Sequence, residues 1–406
     1  MTWAKEVHGR DSLDGLIVIG IIFLLINFYQ SSFLLMFLAA LLIIISLMSK
    51  YYFKHIDEHL VLENKKESIR TSVGEEFVLP ISISQNSWLP IINAKIQLKL
   101  ESIIDGDHVS NRDDATIEFT IPIKLKGKER IQINLPLIAK KRGVTRIKEV
   151  EITIFNFFSF GYVKLKHIPF LHKEVIIFPA LITIPNLDQL VATKSHGYFP
   201  SATSMFEEVL APIGTRDYVY SDPFQRIHWK ASAKTQKLQT KVFERTAEYS
   251  WTFIINLRQI DHSNLRMDMI KNIETIASNV AFMARYASLY NIEYEIFLNF
   301  NMESGMPVYH LPLGGGKTQL GKTYEILARI NRQRMTQPIQ KLLHFVEKQQ
   351  RNSPVVILCG PYGNHGDQYF SQMQNRGQRI YYLNDHEENP MITPYRQNEM
   401  KMRGNI

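Results

Sequence analysis

Cysteine is nearly absent from this chain, which has one among 406 residues. A single cysteine excludes any intramolecular disulfide. Cys359 lies in the apolar run PVVILCG, which is typical of a buried strand, so we expect an inert core thiol rather than a nucleophile. Acidic residues are also fewer than basic ones, and the formal net charge is +8. This charge favours anionic neighbours, and we expect membrane phospholipid rather than nucleic acid.

The length suits two folded units with additional segments. Two apolar runs, residues 16–28 and 33–48, lie near the N-terminus with Tyr29-Gln30-Ser31-Ser32 between them. With their flanks both reach the roughly 17 residues that a membrane span needs at minimum. We therefore predict a transmembrane helical hairpin over residues 1–54, with spans at about residues 14–29 and 32–49. A cleaved signal peptide is disfavoured because no small-residue cleavage site follows the first run and a second run comes at once.

Positive charges flank the hairpin and are missing from its turn. Lys5 and Arg10 precede the first run, and Lys50 and Lys54 follow the second. Three more basic residues come a little later, namely Lys65, Lys66 and Arg70. The positive-inside rule then predicts a multi-pass membrane protein with both termini and the soluble domains in the cytoplasm. Contact of these lysines with anionic lipid is an additional possibility, but we expect them mainly to set the topology.

Residues 55–180 alternate apolar and polar side chains in short runs such as FVLPISIS, AKIQLKL and EVEITIF. Alternation with a period of two predicts antiparallel strands with one buried face. Several such strands favour a β-sandwich of the immunoglobulin type. No catalytic cluster is visible there, so a scaffold is the simpler interpretation than a binding module. Residues 181–213 contain prolines, glycine and many hydroxyl residues, and we interpret them as a connector.

The segment from residue 214 to 244 concentrates charged and aromatic side chains, and no repeat, heptad or amphipathic period explains it. Its candidate interaction residues are Arg216, Asp217, Tyr218, Asp222, Arg226, His228, Trp229, Lys230, Ser232 and Lys241. One interpretation is an internal ion-pair network, with Arg216 and Arg226 against Asp222 and Asp217 and with Trp229 buried. A second interpretation is an exposed docking surface for a partner.

Catalysis is the third interpretation of this segment. Asp222 and His228 offer an acid/base pair in principle, but Ser232 lacks the glycine elbow of a nucleophilic serine. Binding of single-stranded nucleic acid is disfavoured because Asp217 and Asp222 interrupt the basic surface.

Residues 214–390 include an alternation of strands and helices, which predicts a mostly parallel sheet covered on both faces. Gly314-Gly315-Gly316-Lys317-Thr318 is not a phosphate-binding loop, because the glycine required five positions before Gly316 is replaced by Leu311. We interpret the glycines as a turn before a helix. Residues 391–406 are polar and lack a period, so we predict a flexible tail.

The central segment resembles the bacterial family called domain of unknown function 58. Its pattern is Arg-x-Tyr-x-x-Gly-Asp, a spacer, Ile-x-Trp-Lys-x-Ser-Ala and Leu-x-x-Lys. The matching positions here are Arg216, Tyr218, Ser221, Asp222, Ile227, Trp229, Lys230, Ser232, Ala233, Leu238 and Lys241. Ser221 departs from the family glycine, which questions any role that needs a left-handed backbone there. The segment from Lys140 to Gly143 and the aromatic segment 156–161 match the family in part.

The resemblance implies that the α/β region is similar to a von Willebrand factor A domain. Such domains often hold Mg²⁺ through Asp-x-Ser-x-Ser after the first strand, and the equivalent positions are Asn256, Arg258 and Ile260. A shifted match at Asp261-His262-Ser263 fails at Leu265. We therefore expect neither a metal site nor a cofactor. The edge of the sheet at the carboxyl ends of its strands remains a candidate docking surface.

Members of the resembled family are often encoded beside MoxR-type AAA+ ATPases and sometimes beside transglutaminase-like membrane proteins. The resemblance thus implies a non-catalytic adaptor or scaffold in the bacterial cell membrane, facing the cytoplasm and working with such an ATPase. The alternative is a membrane-associated hydrolytic enzyme that uses Asp222 and His228.

Overall fold

The structure is a computed structural model that describes residues 2–30, 32–156, 158, 161–192, 198–200, 207–258, 272–300, 308–330, 336–349, 353–362, 366–384 and 390–395. The chain divides into two compact units, Met1–Phe178 and Pro179–Ile406.

The first unit contains two long helices and thirteen strands among its described residues. They are β1 (Trp3–His8), α1 (Arg10–Gln30), α2 (Phe33–His55), β2 (Leu60–Leu62), β3 (Ser68–Ser72), β4 (Glu76–Gln85), β5 (Ile91–Glu101), β6 (Ile104–Asp105), β7 (Val109–Arg112), β8 (Thr116–Leu125), β9 (Arg130–Ala139), β10 (Gly143–Arg146), β11 (Glu149–Phe155), β12 (Tyr162–His167) and β13 (Glu174–Phe178).

These strands form a β-sandwich around one apolar core. One sheet has six strands in the order β1-β12-β11-β5-β8-β7, a second has the order β2-β4-β9-β6, and a third has the order β10-β13-β3. Their pairings are antiparallel, apart from the parallel pair of β13 and β3. The alternating pattern explains this arrangement, since every second side chain of β4, from Phe77 to Gln85, is buried. The predicted strands and their inward-facing residues are confirmed.

Helices α1 and α2 are each long and apolar enough to cross a membrane. They pack closely where Gly20 meets Ala39, because a Cβ at Gly20 would lie 3.3 Å from the Ala39 carbonyl and 2.7 Å from Ile43 Cγ1. Small residues at such a crossing let two backbones approach. Most of their remaining apolar surface points outward, and Phe28 is 92% exposed.

Residues of the hairpin region contribute a strand and buried side chains to the sandwich, which the sequence did not predict. Residues 3–8, assigned to the hairpin region, form strand β1 along the edge of the sheet against β12. Trp3 Nε1 donates to the carbonyl of Leu60 at 2.7 Å. The first residues of α1 and the last turns of α2 bury Leu13 and Phe53 in the same core. The two helices, the second of which ends at His55, therefore belong to the same compact unit as the sandwich.

The second unit contains nine strands and six helices among its described residues. They are α3 (Asp188–Ala192), β14 (Tyr198–Pro200), β15 (Glu207–Asp217), a 3₁₀ turn (Phe224–Arg226), α4 (Trp229–Thr235), β16 (Gln239–Glu248), β17 (Ser250–Ile255), α5 (Ile273–Leu289), β18 (Glu293–Leu298), β19 (Tyr309–Gly314), α6 (Gly316–Arg329), α7 (Ile339–Gln349), β20 (Val355–Cys359), α8 (Asp367–Asn375), β21 (Arg379–Asn384) and β22 (Met391–Pro394).

A six-stranded mixed sheet forms the centre of this unit, in the order β19-β18-β17-β20-β21-β22. The four middle strands are parallel to one another. Both edge strands are antiparallel to their neighbours. Helices α5 and α6 pack on one face, and α7 and α8 pack on the other. The predicted covering of both faces is confirmed, and Cys359 is a buried free thiol in β20.

Two local predictions in this unit have different outcomes. The glycine run forms the turn between β19 and α6, as expected, and Gly316 has a φ of +71°. The flexible tail is wrong at its start, because Met391–Pro394 pairs with β21 as the edge strand β22. Its residues Ile392 and Tyr395 are buried, a pattern that four residues are too few to reveal in sequence. Residues 396–406 lie outside the described residues.

Candidate functional site

The central segment of the sequence lies at the end of a β-ribbon. Strand β14 pairs with one side of β16 and β15 with the other, in antiparallel fashion. The last pairs of the ribbon are Arg216 with Thr240 and Asp217 with Gln239. Residues 218–238, called the tip segment below, connect these two strands. The tip segment holds seven of the ten candidate residues, while Arg216, Asp217 and Lys241 lie on the strands that carry it.

Asp222 organises the first half of the tip segment. Its Oδ1 accepts a hydrogen bond from Arg216 Nη2 at 2.6 Å. Its Oδ2 accepts from the Val219 amide and from Thr240 Oγ1, both at 3.1 Å. The Arg216 guanidinium, followed by the Val219 amide and the Thr240 hydroxyl, lowers the pKa of the Asp222 carboxyl. The predicted pairing of Arg216 with Asp222 therefore exists, and it closes the turn that leaves β15.

Helix α4 is fixed to the ribbon by its own side chains. His228 caps the helix, because its Nδ1 accepts from the Ala231 amide at 3.1 Å. Ser232 Oγ donates to the His228 carbonyl at 3.0 Å and accepts from the Gln239 amide at 2.8 Å. Ser232 is buried. The serine of the motif thus ties α4 to β16.

The proposed acid/base pair is not formed in the part of the chain that the structure describes. Asp222 is occupied by Arg216, Val219 and Thr240. The Nδ1 atom of His228 is held by a backbone amide, so this tautomer carries its proton on Nε2. A general base needs a free lone pair within reach of its substrate. These two side chains therefore act as structural acceptors within the tip segment.

The tip segment exposes large apolar side chains, contrary to the interpretation with a buried Trp229. Trp229 is 68% exposed and Tyr220 is 95% exposed. Val219 and Phe224 are also exposed. Tyr218 lies against Phe224 with ring centroids 5.8 Å apart. The internal network thus binds the backbone together and leaves the aromatic side chains outside it.

Exposed positive charge accompanies these aromatic residues. Lys230, Lys234 and Lys237 are exposed along and after α4. Asp222 is the one acidic residue in the sequence of the tip segment, and it pairs with Arg216. Asp217 lies on β15, is exposed, and accepts from Gln239 Nε2 at 2.5 Å. Lys241 is half-buried opposite Thr215. The outer surface of the tip segment is therefore aromatic and basic.

Arg226 was expected to pair with an acidic residue, and Ser221 stands where the resembled family has glycine. Arg226 lies over the ring of Phe243 at 5.6 Å, a cation–π contact on the ribbon. The described non-glycine residues with positive φ are Lys128, Asn186, Gln236 and Asn291. Ser221 is not one of them, so serine fits this turn without the left-handed backbone that glycine favours.

An amide pair occupies the sheet edge where a metal site was considered. Asn256 follows β17, and its Oδ1 accepts from Asn299 Nδ2 at 2.5 Å and from the Arg258 amide at 3.1 Å. Asn299 Oδ1 accepts from the Leu257 amide at 2.8 Å. Both asparagine side chains are buried. Residues 260–265, including the shifted match, lie outside the described residues.

A second polar cluster was missed by the sequence analysis. Glu295 is buried in β18 and accepts from Thr252 Oγ1 at 2.8 Å. His310 Nε2 lies 3.1 Å from Glu295 Oε2, and its ring stacks on Phe297 at 4.1 Å. The signal was present, because EYEIFLNF contains a glutamate inside a buried run. His310 lies on an antiparallel edge strand, so its proximity was not readable from sequence.

Comparisons with known proteins place the chain in no family. No family model and no curated protein matches it. The chain is similar to a non-cellulosomal cohesin from the archaeon Archaeoglobus fulgidus, with 9% identity, 29% of this chain and 88% of that chain covered, and a TM-score of 0.19. A type I cohesin in complex with a dockerin from Clostridium thermocellum has 9% identity, 29% and 99% coverage, and a TM-score of 0.18.

A third similar structure is a β-N-acetylglucosaminidase from Vibrio harveyi, with 8% identity, coverage of 80% of this chain and 75% of that chain, and a TM-score of 0.18. TM-scores at this level do not establish a shared fold or a shared partner.

Proposed function

We propose that this protein is a membrane-anchored adaptor that faces the cytoplasm and presents the tip segment to a MoxR-type AAA+ ATPase. The family resemblance suggests the ATPase and a von Willebrand A-like class for the α/β unit, and the strand spacing suggests an immunoglobulin-like class for the sandwich. The observation that carries the docking role is the exposure of Tyr220, Phe224 and Trp229 on a segment whose backbone is internally fastened.

The two apolar helices support the anchor. Their outward surface is apolar from about Leu16 to Met48 apart from the turn, and hydrocarbon is the solvent that such a surface suits. Basic residues on the flanks favour cytoplasmic ends. Lys50 pairs with Asp14, and Lys5 pairs with Asp57, so both lysines lie at the end where the helices meet the sandwich.

Rigid exposed aromatics support the docking role. Trp and Tyr dominate the residues that carry binding energy in protein interfaces. A pre-ordered segment also loses less conformational entropy when it binds. The exposed lysines predict that the partner presents an acidic rim around an apolar pocket. The catalytic alternative has no corresponding support in the described residues, because Asp222 and His228 are both occupied.

The test is binding of the full-length protein, in detergent, to the purified MoxR-type ATPase of the same organism. Affinity is measured for wild type, Tyr220→Ala and Trp229→Ala, with and without a non-hydrolysable ATP analogue. We expect each aromatic substitution to weaken binding by about thirtyfold, as for central interface residues. Leu289→Ala is the matched control, since Leu289 is an exposed apolar residue of the same unit.

Two outcomes contradict the proposal. Unchanged affinity in both aromatic variants removes the docking role of the tip segment. Failure of wild type to bind in either nucleotide state removes the ATPase as partner.

A further inference from the structure

The end of the sandwich from which the helices leave also carries exposed aromatic and basic side chains. Strand β1 ends at His8, and α1 begins at Arg10. Phe155 of β11 pairs with Tyr162 of β12 beside that point. Phe155 also pairs with Asn93 of β5. The register therefore places the start of β5 at the same end of the sheet as the start of α1.

Two further connections reach this end. Ile91 at the start of β5 pairs with Leu125 at the end of β8. The connection between β4 and β5, residues 86–90, and the connection between β8 and β9, residues 126–129, thus lie side by side there. Helix α2 touches the first of them, since Tyr52 Oη donates to the Pro90 carbonyl at 2.8 Å.

An exposed tryptophan stands on the first connection. Trp88 is 68% exposed, although a neighbouring residue, Leu89, is buried in the core. The apolar run of α2 ends at Met48, which is 66% exposed and lies about one helical turn, or roughly 6 Å, before Tyr52. Trp88 is two residues before Pro90, whose carbonyl accepts from Tyr52. Tyr52 in turn lies one helical turn after the apolar run of α2, so Trp88 is close to the apolar surface of the hairpin.

The second connection supplies positive charge beside Trp88. The Lys128 amide donates to the Ser87 carbonyl at 2.8 Å. A Cβ at Gly127 would lie 2.4 Å from the Trp88 carbonyl, so the two backbones are in direct contact. Lys126 and Lys128 are exposed. A tryptophan flanked by lysines is the composition that favours the interface of an anionic bilayer.

A third connection has the same relation to the helices. Asn156 Nδ2 donates to Ser49 Oγ of α2 at 3.3 Å. Phe158, two residues later, is about half exposed. Trp88 and Phe158 are therefore each two residues from a residue that is hydrogen-bonded to α2. Both of these hydrogen bonds are made by the turn of α2 that follows Met48, at Ser49 and Tyr52.

We propose that the connection bearing Trp88, together with Lys126 and Lys128, rests on the anionic phospholipid surface of the membrane that holds the hairpin. This inference depends on the proposed membrane anchor.

The test uses tryptophan fluorescence of the full-length protein in nanodiscs of brominated phosphatidylglycerol. Trp3 and Trp251 are buried, and Trp88 and Trp229 are both 68% exposed. Comparison of wild type with Trp88→Phe isolates the signal of Trp88, and Trp229→Phe isolates that of its matched control. We expect Trp88 to be quenched by bromolipid and to be several-fold less accessible to aqueous acrylamide than Trp229.

The charge contribution is tested separately. In Lys126→Gln/Lys128→Gln, quenching of Trp88 in brominated phosphatidylglycerol is expected to fall to the level in brominated phosphatidylcholine. Equal acrylamide access at Trp88 and Trp229, with no bromolipid quenching of Trp88, overturns the proposal. Unchanged quenching in the lysine variant overturns the role of the two lysines.

Failure of the anchor is distinguished by a reporter within the helices. Leu25→Trp is placed in the Trp88→Phe background, and the difference from that background reports on α1, since Leu25 is exposed on that helix. If this tryptophan is quenched by deep bromines and Trp88 is not, the helices span and the surface contact is wrong. If neither is quenched, the anchor itself is wrong and the surface proposal fails with it.

Discussion

Ser232 Oγ accepts a hydrogen bond from the Gln239 amide at 2.8 Å, and this contact joins helix α4 to the first residue of β16. The same hydroxyl donates to the His228 carbonyl one turn earlier in the helix. One buried side chain therefore contacts two backbone groups, the Gln239 amide and the His228 carbonyl, and the carbonyl also accepts from the Ser232 amide at 2.9 Å. Ser232, a weak candidate nucleophile from its sequence, therefore holds helix α4 to strand β16 within the tip segment.

Replacement of Ser232 by alanine should loosen α4. The Gln239 amide is buried and would lose its acceptor, which costs about 1–3 kcal/mol. We expect faster hydrogen exchange of residues 228–239 in Ser232→Ala, measured by mass spectrometry on the full-length protein. Ser221→Ala, at an exposed position of the same segment, should exchange like wild type. Unchanged protection of the Gln239 amide in Ser232→Ala would show that the hydroxyl contributes nothing.

Asp222 should make the tip segment sensitive to acid. Its pKa is lowered by Arg216, the Val219 amide and Thr240, so the folded state favours the charged form. This stabilisation is present above the unfolded pKa of about 3.9 and is lost as the pH falls through the lower folded value. We expect pepsin cleavage of the tip segment to rise steeply below pH 4 in wild type.

Asp222→Asn provides the reference for that experiment. The amide lacks the charge and accepts fewer hydrogen bonds, so cleavage should already be fast at pH 4. The ratio of the variant rate to the wild-type rate should approach one as the pH falls, and this ratio cancels the protease's own pH dependence. A ratio that stays constant with pH would contradict the assigned role of Asp222.

Sequence periodicity predicted the layers but not the edges of the fold. The strands of the sandwich and the covered parallel sheet follow from side-chain alternation and from long apolar runs. Strands β1 and β22 were not predicted, because an edge strand needs few buried residues and so shows little alternation in sequence. Trp3 is buried in β1, and Ile392 is buried in β22. Trp88 and Lys128 were unremarkable in sequence because only the register of distant strands brings them together.

The tip segment shows the same limit. The pairing of Arg216 with Asp222 is local, six residues apart, and was predictable. The exposure of Trp229 was not, because an isolated aromatic residue in a polar segment packs inward or outward according to what surrounds it. Here α4 buries Ser232 against β16 and turns Trp229 outward.

Asn299 should hold the carboxyl edge of the sheet together. Its side chain donates to Asn256 Oδ1 and to the Gln337 carbonyl and accepts from the Leu257 amide. Asn299→Ala leaves the buried Leu257 amide without this acceptor, and we expect a loss of about 1–3 kcal/mol in the free energy of unfolding. Chemical denaturation followed by circular dichroism measures it.

Gln337→Ala is the control for that variant, because it keeps the backbone carbonyl that accepts from Asn299. Its unfolding free energy should stay close to that of wild type. If Asn299→Ala and Gln337→Ala lowered the free energy of unfolding equally, loss of the Asn256–Asn299 pair would not explain the effect of Asn299→Ala.

Glu295 and His310 give the last prediction. Glu295 is buried in the sheet, and its carboxyl is held by Thr252 and His310. His310→Leu keeps a side chain against Phe297 but removes one hydrogen-bond partner of a buried carboxyl, and leaving such a group without a partner costs about 1–3 kcal/mol or more. The double variant Glu295→Leu/His310→Leu removes both polar groups and should be more stable than the single variant. Denaturation of the two variants and wild type tests this order, and a single variant as stable as wild type would show that solvent replaces the histidine.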